Sequence, residues 1–520
     1  MKTFNFGFLD KPAESKTIKI LYKVLVVILF AFLFQAAFVR SMTNYTDHDD
    51  NPYNAGAKIT HDEGLLPYKD YRFIHMPYYV FTYALILELT PSLTFSARII
   101  SLASFFSMLA LIFYSIQVSL SQKNQIFKFI VGTAALIFLM YNPFVQYAFA
   151  RFSYDLPLLL SILSFFTLIS TEKSDKSFLK ATISGLLLGI AIGFRMHFIF
   201  LTVPFAISMI LFLKKPISER LKLFICFSLG IFIGLLPVFI LFIIAPKGFV
   251  FDIFQFHFNI DAKAQPGAAL PFGEKLTRLF QMMREKWQSS VLLEGAIIVF
   301  VLKLFKLVKN DVLDFRINVL LITLPFLVYL AVGKLLMIQY LYPLSVFLIL
   351  AIFYGICALK KNENYAAALA LTLSIFILFG VNYKNIREIN KPENWNALSR
   401  HRISTLVDEA IAGKAKILTL SPAELIESDS ITIYKEFVSN PFIYRTSYLI
   451  PDETREKFDI ISDKEIDSFM QEKQPDAILT GYYSVDLEKK LIEFAQDNEY
   501  TEIDLPTKRE LKLYIKQKSH

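Results

Sequence analysis

Between Thr43 and Tyr79 the chain reads TNYTDHDDNPYNAGAKITHDEGLLPYKDYRFIHMPYY, in which Asp47, Asp49, Asp50, Asp62, Glu63 and Asp70 sit beside His48, His61 and His75. Carboxylates at this density suit three jobs: a general base that takes a proton from a hydroxyl, ligands for a divalent cation, with Asp47 and Asp49 as candidates, or caps for short helices lying on a membrane. A solvated acidic loop is the plainer reading of any one of them, because Asp and Glu are ordinarily exposed. The residue types alone leave these open, and no cofactor beyond a divalent metal is suggested. Arg98, Arg195 and His197 stand in or beside apolar segments, where an ionisable group is costly unless it faces protein, water or a lipid head group. Cations so placed could hold a phosphate by charge-assisted hydrogen bonds, or snorkel to the interface. Asp155, two residues before Pro157, fits a helix cap as well as a site. Tyr340 and Tyr342 suit an aromatic belt equally well, and His257, in FQFHFN, reads better as part of an amphipathic interfacial stretch than as a ligand.

The elements that must position these groups are membrane helices. The 520 residues are 54% hydrophobic and only 19% charged, with 52 Phe, too little polar surface to cover a water-soluble protein of this size. Apolar segments occur at 17–40, 95–118, 127–147, 155–171, 181–194, 197–213, 221–245, 289–305, 317–331, 337–358 and 365–382, each set against the ~20 residues a span needs. The composition and pattern predict a mainly α, polytopic membrane protein of about eleven helices. The division between 181–194 and 197–213 rests only on Arg195 and His197. The first segment follows Lys2, Lys11 and Lys16 but is long and lacks an A-x-A site, so it reads as a retained anchor.

The net charge of +8 comes from Lys and Arg clustered in alternate gaps between apolar runs, among them Lys173, Lys176 and Lys180, then Lys214, Lys215, Arg220 and Lys222. That is a topology signal rather than a nucleic-acid footprint. It predicts a cytoplasmic N-terminus and three larger segments on the outer side: 41–94, 246–288 and the polar tail. The chain divides accordingly into a membrane part over 1–383 and a small α/β part over 384–520. In the tail, AKILTLS, DAILTGY and LKLYIKQ read as strands, and Ser462 and Glu465 have capping-box spacing at a helix near 463–473. Cys226 and Cys357 both lie in apolar segments and support neither a disulfide framework nor a metal site.

The order of these marks resembles a known family. Asp49-Asp50 ahead of Tyr53, then GLLPY with Gly64, Pro67 and Tyr68, Asp70, and HMP with His75 and Pro77 are similar to the first outer loop of GT-C class membrane glycosyltransferases. In particular the chain resembles the bacterial protein-mannosyltransferase-like and lipid A aminoarabinose transferase-like members. The likeness continues through SARIIS with Arg98, RFSYDLP with Asp155, GLLLGIAIGFR with Arg195 and QYLYPL with Tyr340, Tyr342 and Pro343. It departs where the family often has Lys at Arg195 and Arg at Gln339. The resemblance implies Asp49 as catalytic base or acceptor-orienting group, with Asp50 and Asp155 beside it. It implies Tyr53, Tyr68, His75, Arg98, Arg195, His197, Tyr340 and Tyr342 as the substrate-binding set.

The implied activity is transfer of a sugar, with inversion, from a polyprenyl-phosphate carrier to a glycan, lipid or protein acceptor on the outer face of the cytoplasmic (inner) membrane. The partners are the lipid-linked sugar and membrane lipid, with no nucleic acid. The absence of a Gly-rich nucleotide loop agrees with a lipid-linked donor. A transporter or flippase of lipid-linked sugar is the main alternative, though no internal symmetry of paired halves is found. A surface-polysaccharide polymerase or ligase would instead place its large outer loop late in the membrane part, whereas the largest acidic loop here comes first.

Overall fold

The computed structural model describes residues 16–44, 50–120, 125–264 apart from 152, 173 and 214, scattered positions from 271 to 281, 339, 341–357, and 391–517 apart from 412, 508 and 509. The helical part runs α1 (Lys16–Thr43), α2 (Asn51–Glu63), α3 (Tyr78–Leu89), α4 (Leu93–Ser119), α5 (Gln125–Met140), α6 (Pro143–Ala148), α7 (Asp155–Ile169), α8 (Ser177–Phe194), α9 (Thr202–Ile207), α10 (Ile217–Gly234) and α11 (Leu236–Ile244). A further helix spans Leu341–Cys357.

Among the described residues, α1, α4 and α8 are each long and apolar enough to cross a bilayer, and α10 and α11 form a pair bent by 55°. The expected segments 127–147 and 221–245 are each broken, and the sequence supplies the reason. Asn142-Pro143 ends α5, and the Asn142 side chain accepts from the amides of Phe144 (3.0 Å) and Val145 (3.3 Å) to start α6. Pro237 sits in the first turn of α11, where its missing N–H costs nothing but cannot continue α10. The segment 197–213 is a 3-10 turn over Met196–Leu201, then α9, then a π-helical turn over Ser208–Phe212. The segments expected at 289–305, 317–331 and 365–382 lie outside the described residues.

Close helix packing rests on small residues. Where α8 crosses α10, a Cβ built on Gly185 would lie 1.9 Å from the Phe227 carbonyl oxygen, and one on Gly230 would lie 2.1 Å from that of Thr182. Only glycine permits this approach of two backbones, the usual device where apolar side chains gain nothing by leaving lipid. The outward faces stay apolar: Val27 and Ile28 on α1, and Ile225, Leu229 and Phe232 on α10, are all exposed.

The first loop, expected as a connection over 41–94, is itself helical. Pro52 stands at the start of α2, and Gly64, in the left-handed region at φ 67°, closes it. The apolar α3 then leads into α4.

The tail carries a five-stranded sheet of β1 (Ala415–Leu418), β2 (Ile431–Ile433), β3 (Ala477–Thr480), β4 (Tyr500–Asp504) and β5 (Lys512–Lys516), in the order β2-β1-β3-β5-β4. β1 is parallel to β2 and β3, while β5 is antiparallel to β3 and β4. The three strands expected from the sequence hold β1, β3 and β5. β2 is only three residues long, and edge strand β4 exposes Thr501, Glu502 and Asp504, so neither carries a strong pattern. Glu465 accepts from the Ser462 amide at 3.0 Å, the carboxylate half of a capping box.

The tail packs on the first loop. Lys58 donates to the Ser428 carbonyl (2.7 Å), the Thr94 amide donates to Glu427 (2.6 Å), and Trp395 meets Phe38 edge-on at 5.4 Å.

Candidate functional site

The start of α2 and the end of α8 meet at a buried ion pair. Asp50 immediately precedes α2 and is 7% exposed; Arg195, in extended backbone just after α8, is 5% exposed. Arg195 Nη2 lies 3.4 Å from Asp50 Oδ1. The guanidinium plane is also held between two aromatic rings, 4.9 Å from the centroid of Tyr53 and 4.7 Å from that of Tyr154. Cation–π contacts of this kind strengthen when desolvated. Tyr53 is one turn into α2, so the carboxylate and the first ring come from the same helical start.

Two histidines extend the cluster. His75 stacks on Tyr53 at 4.9 Å and 16°, and its buried Nε2 has no hydrogen-bond partner among the described residues. Burial, and then the Arg195 cation, hold the His75 imidazole well below its usual value, so it is neutral. The His197 Nε2 lies 2.8 Å from the Tyr154 hydroxyl. Behind His75, Tyr68 donates to the His75 carbonyl at 2.6 Å. Tyr68 is fully enclosed among Phe73 and Phe249, with φ 69°. It therefore holds the backbone that carries His75 and does not line an open site.

On the other side, Arg98 of α4 is 4% exposed and donates to the Asn44 carbonyl at 3.1 Å. A narrow crevice beside it is lined by Asp50, Asn54, Tyr83, Thr94, Arg98 and Ser101. Asp155 does not cap its own helix as the sequence suggested. It occupies the first turn of α7, with Tyr154 at the cap position. Its two oxygens accept from the Ala150 amide (2.9 Å) and from the Tyr342 hydroxyl (2.7 Å). Asp155 thus ties the α6–α7 turn to the Leu341–Cys357 helix.

Asp62 and Asp70, two of the loop's other described carboxylates, are elsewhere. Asp62, twelve residues on from Asp50 and so ~18 Å along the helix, pairs with Lys58 and His61, which in turn reaches Glu88. Asp70 accepts from the Leu66 amide in a local turn. Asp50, Asp62 and Asp70, near one another in sequence, therefore have separate partners in space. Among the described residues no group of three or more His, Cys, Asp or Glu could hold a metal ion. Asp47, His48, Asp49 and Tyr340 lie outside the described residues.

Two participants, Tyr154 and Asp252, escaped the sequence reading, and a third, His257, was not read as a site residue. Tyr154, inside the quoted RFSYDLP, was passed over for its neighbour Asp155. His257 is placed on a π-helical stretch (Phe251–Asp261), stacked on His75 at 5.9 Å with Nε2 on the Ile74 carbonyl, while Phe254 and Phe258 of the same stretch are exposed. Asp252, one turn earlier, is fully buried, accepts from the Phe73 amide at 3.0 Å and lies 3.7 Å from Arg72. Burial pushes its carboxyl up to about 6 against the pull of Arg72. The sole sequence signal was the presence of three polar residues, Asp252, Gln255 and His257, in an otherwise apolar run, FDIFQFHF.

In fold the chain is similar to two crystal structures of ArnT from Cupriavidus metallidurans. The one bound to undecaprenyl phosphate has a TM-score of 0.59 at 10% identity, covering 94% of this chain and 97% of that one. The apo structure has a TM-score of 0.53 at 11% identity, covering 95% and 98%. No protein-family model and no curated protein matches the sequence. At such identities the likeness is one of fold, and it extends over nearly the whole chain.

Proposed function

We propose that the chain is a GT-C type glycosyltransferase that moves a sugar from a polyprenyl-phosphate carrier to an acceptor hydroxyl on the non-cytoplasmic face of the inner membrane. The observation that carries this reading is the buried pair of Asp50 and Arg195, with the cation held between Tyr53 and Tyr154 where a membrane helix meets the first loop. The likeness in fold to a structure holding undecaprenyl phosphate supports the donor class. Residues 1–383 form the catalytic membrane part and 384–520 the outer part in this reading.

A polyprenyl-phosphate sugar already has a good leaving group, so the protein needs to align, take a proton and stabilise charge. The acceptor hydroxyl gives its proton to the Asp49 carboxylate as its oxygen bonds to the anomeric carbon. The bond from that carbon to the phosphate oxygen breaks, and its electron pair leaves with the lipid phosphate. Arg195 and Arg98 bear the developing negative charge, while Asp50 fixes the orientation of Arg195. Direct displacement inverts the anomeric centre. Asp155, with both oxygens engaged inside the protein, positions Tyr154 and so the second face of the guanidinium.

The test is release of polyprenyl phosphate from defined polyprenyl-phosphate sugars by the purified chain, with candidate acceptors present. Asp49→Asn and Arg195→Gln should each lower the rate by roughly a hundredfold or more. A wild-type rate in Asp49→Asn refutes the base assignment, and no release with any donor refutes the enzyme reading. The broken α10–α11 pair is the feature that favours a transporter of lipid-linked sugar. A transporter would move the intact donor across vesicles and release no lipid phosphate.

A further inference from the structure

The tail contains a cavity that the transfer chemistry does not use. It is a half-open cleft of about 620 Å³, lined by Asn394, Asn396, Arg400, Glu409, Glu424 and Tyr482, among others. Sites that enclose small ligands typically measure ~300–1,000 Å³. The second cation of the wall, Arg402, is committed to the backbone, donating to the carbonyls of Glu393 (2.6 Å), Trp395 (2.8 Å) and Leu398 (3.2 Å). With Glu393, Glu409 and Glu424 opposing two arginines, the cavity does not select an anion.

Arg400 is the second observation. It is 3% exposed, its Nη2 donates to Asn51 Oδ1 at 2.6 Å, and its Nε lies 3.5 Å from Glu424 Oε1. Its buried Nη1 has no hydrogen-bond partner among the described residues. Amides, carboxylates, a guanidinium in the wall and a half-buried tyrosine ring together match a ligand whose many hydroxyls both donate and accept and whose C–H faces can lie on a ring.

The cavity also reaches the candidate active site through protein. Asn51, which accepts from Arg400, donates to the Tyr483 hydroxyl at 3.3 Å, and Tyr483 follows Tyr482 of the cavity wall. Asn51 is the residue after Asp50.

We propose that this cavity binds a neutral glycan and holds the sugar chain of the acceptor against the start of α2. That the glycan is the acceptor rests on the transferase reading; that the cavity takes a glycan does not.

The experiment uses the full chain in detergent without donor. Neutral trisaccharides of glucose, galactose, mannose and N-acetylglucosamine are tested by saturation-transfer NMR and titration. At least one should bind, and Tyr482→Ala should weaken it roughly tenfold, with Arg400→Gln weakening it as well. Tyr482 is only half-buried, so its variant keeps the test valid if Arg400→Gln fails to fold. Absence of binding by all four, or binding unchanged in Tyr482→Ala, overturns the proposal. So does tighter binding of inorganic phosphate or trigalacturonate at the same place. Binding in a chain that never releases polyprenyl phosphate would uphold the glycan cavity while refuting the transferase. Release without binding would do the reverse.

Discussion

Arg195 has two kinds of partner, a carboxylate and two aromatic faces, and they can be separated by substitution. Arg195→Gln removes one of two cations that face the buried Asp50 carboxylate, Arg98 being the other, so the loss should fall below the ~3–5 kcal/mol of a buried pair whose partner is the sole one. Adding Asp50→Asn should return part of that stability, read as the melting temperature of the single and double variants in detergent. Arg195→Lys keeps the charge but not the planar guanidinium that stacks on Tyr53 and Tyr154. It is expected to release polyprenyl phosphate at least roughly tenfold more slowly than wild type. Asp50, Tyr53, His75 and Arg195 were separate marks in the sequence, and the fold gathers them within a few ångströms. Tyr154 was illegible because a tyrosine beside an apolar segment is ordinary. The sequence showed a cluster of acids, but a helix of thirteen residues carries Asp50 and Asp62 to opposite ends, which spacing along a chain of unknown conformation could not reveal.

At the scale of elements, long apolar runs made α1, α4, α7 and α8 legible to within a few residues. The 3-10 and π turns after Arg195 were not legible, since their side chains are as apolar as those of a regular helix. The glycines of α8 and α10 specify which helices touch. Gly185→Ala would force a methyl group to within 1.9 Å of the Phe227 carbonyl oxygen. It should destabilise the bundle by at least ~1–3 kcal/mol, seen as a lower melting temperature with the tail's own fold unaffected. In the tail, Glu488 accepts from the amides of Gly481 (2.7 Å) and Tyr483 (3.4 Å). Burial outweighs those bonds and pushes its carboxyl up to about 7. The folded tail therefore keeps a proton that an unfolded one loses above ~4.3. Stability should fall as pH rises from ~4.3 to about 7, and Glu488→Gln should flatten that fall in melting temperature measured against pH.

At the scale of the molecule, tail and first loop share an interface of charged groups bonded to backbone: Lys58 to Ser428, and Glu427 to Thr94. Each such bond contributes ~1.5–3 kcal/mol. Lys58→Met with Glu427→Gln should therefore raise the rate at which trypsin cleaves the tail by roughly tenfold or more, with helical content unchanged. None of these contacts was legible from sequence, because they join residues more than 300 positions apart. The interface has one further property. Adjacent residues, Asp50 and Asn51, are each gripped by an arginine, one from the membrane bundle and one from the tail. One peptide unit thus links an ion pair of the bundle to a hydrogen bond from the tail, beside the contacts of Lys58 and Glu427. From the Arg400 side chain to the Asp50 carboxylate the path is one hydrogen bond and one peptide bond, the span over which a shift of Asn51 would be felt at Arg195.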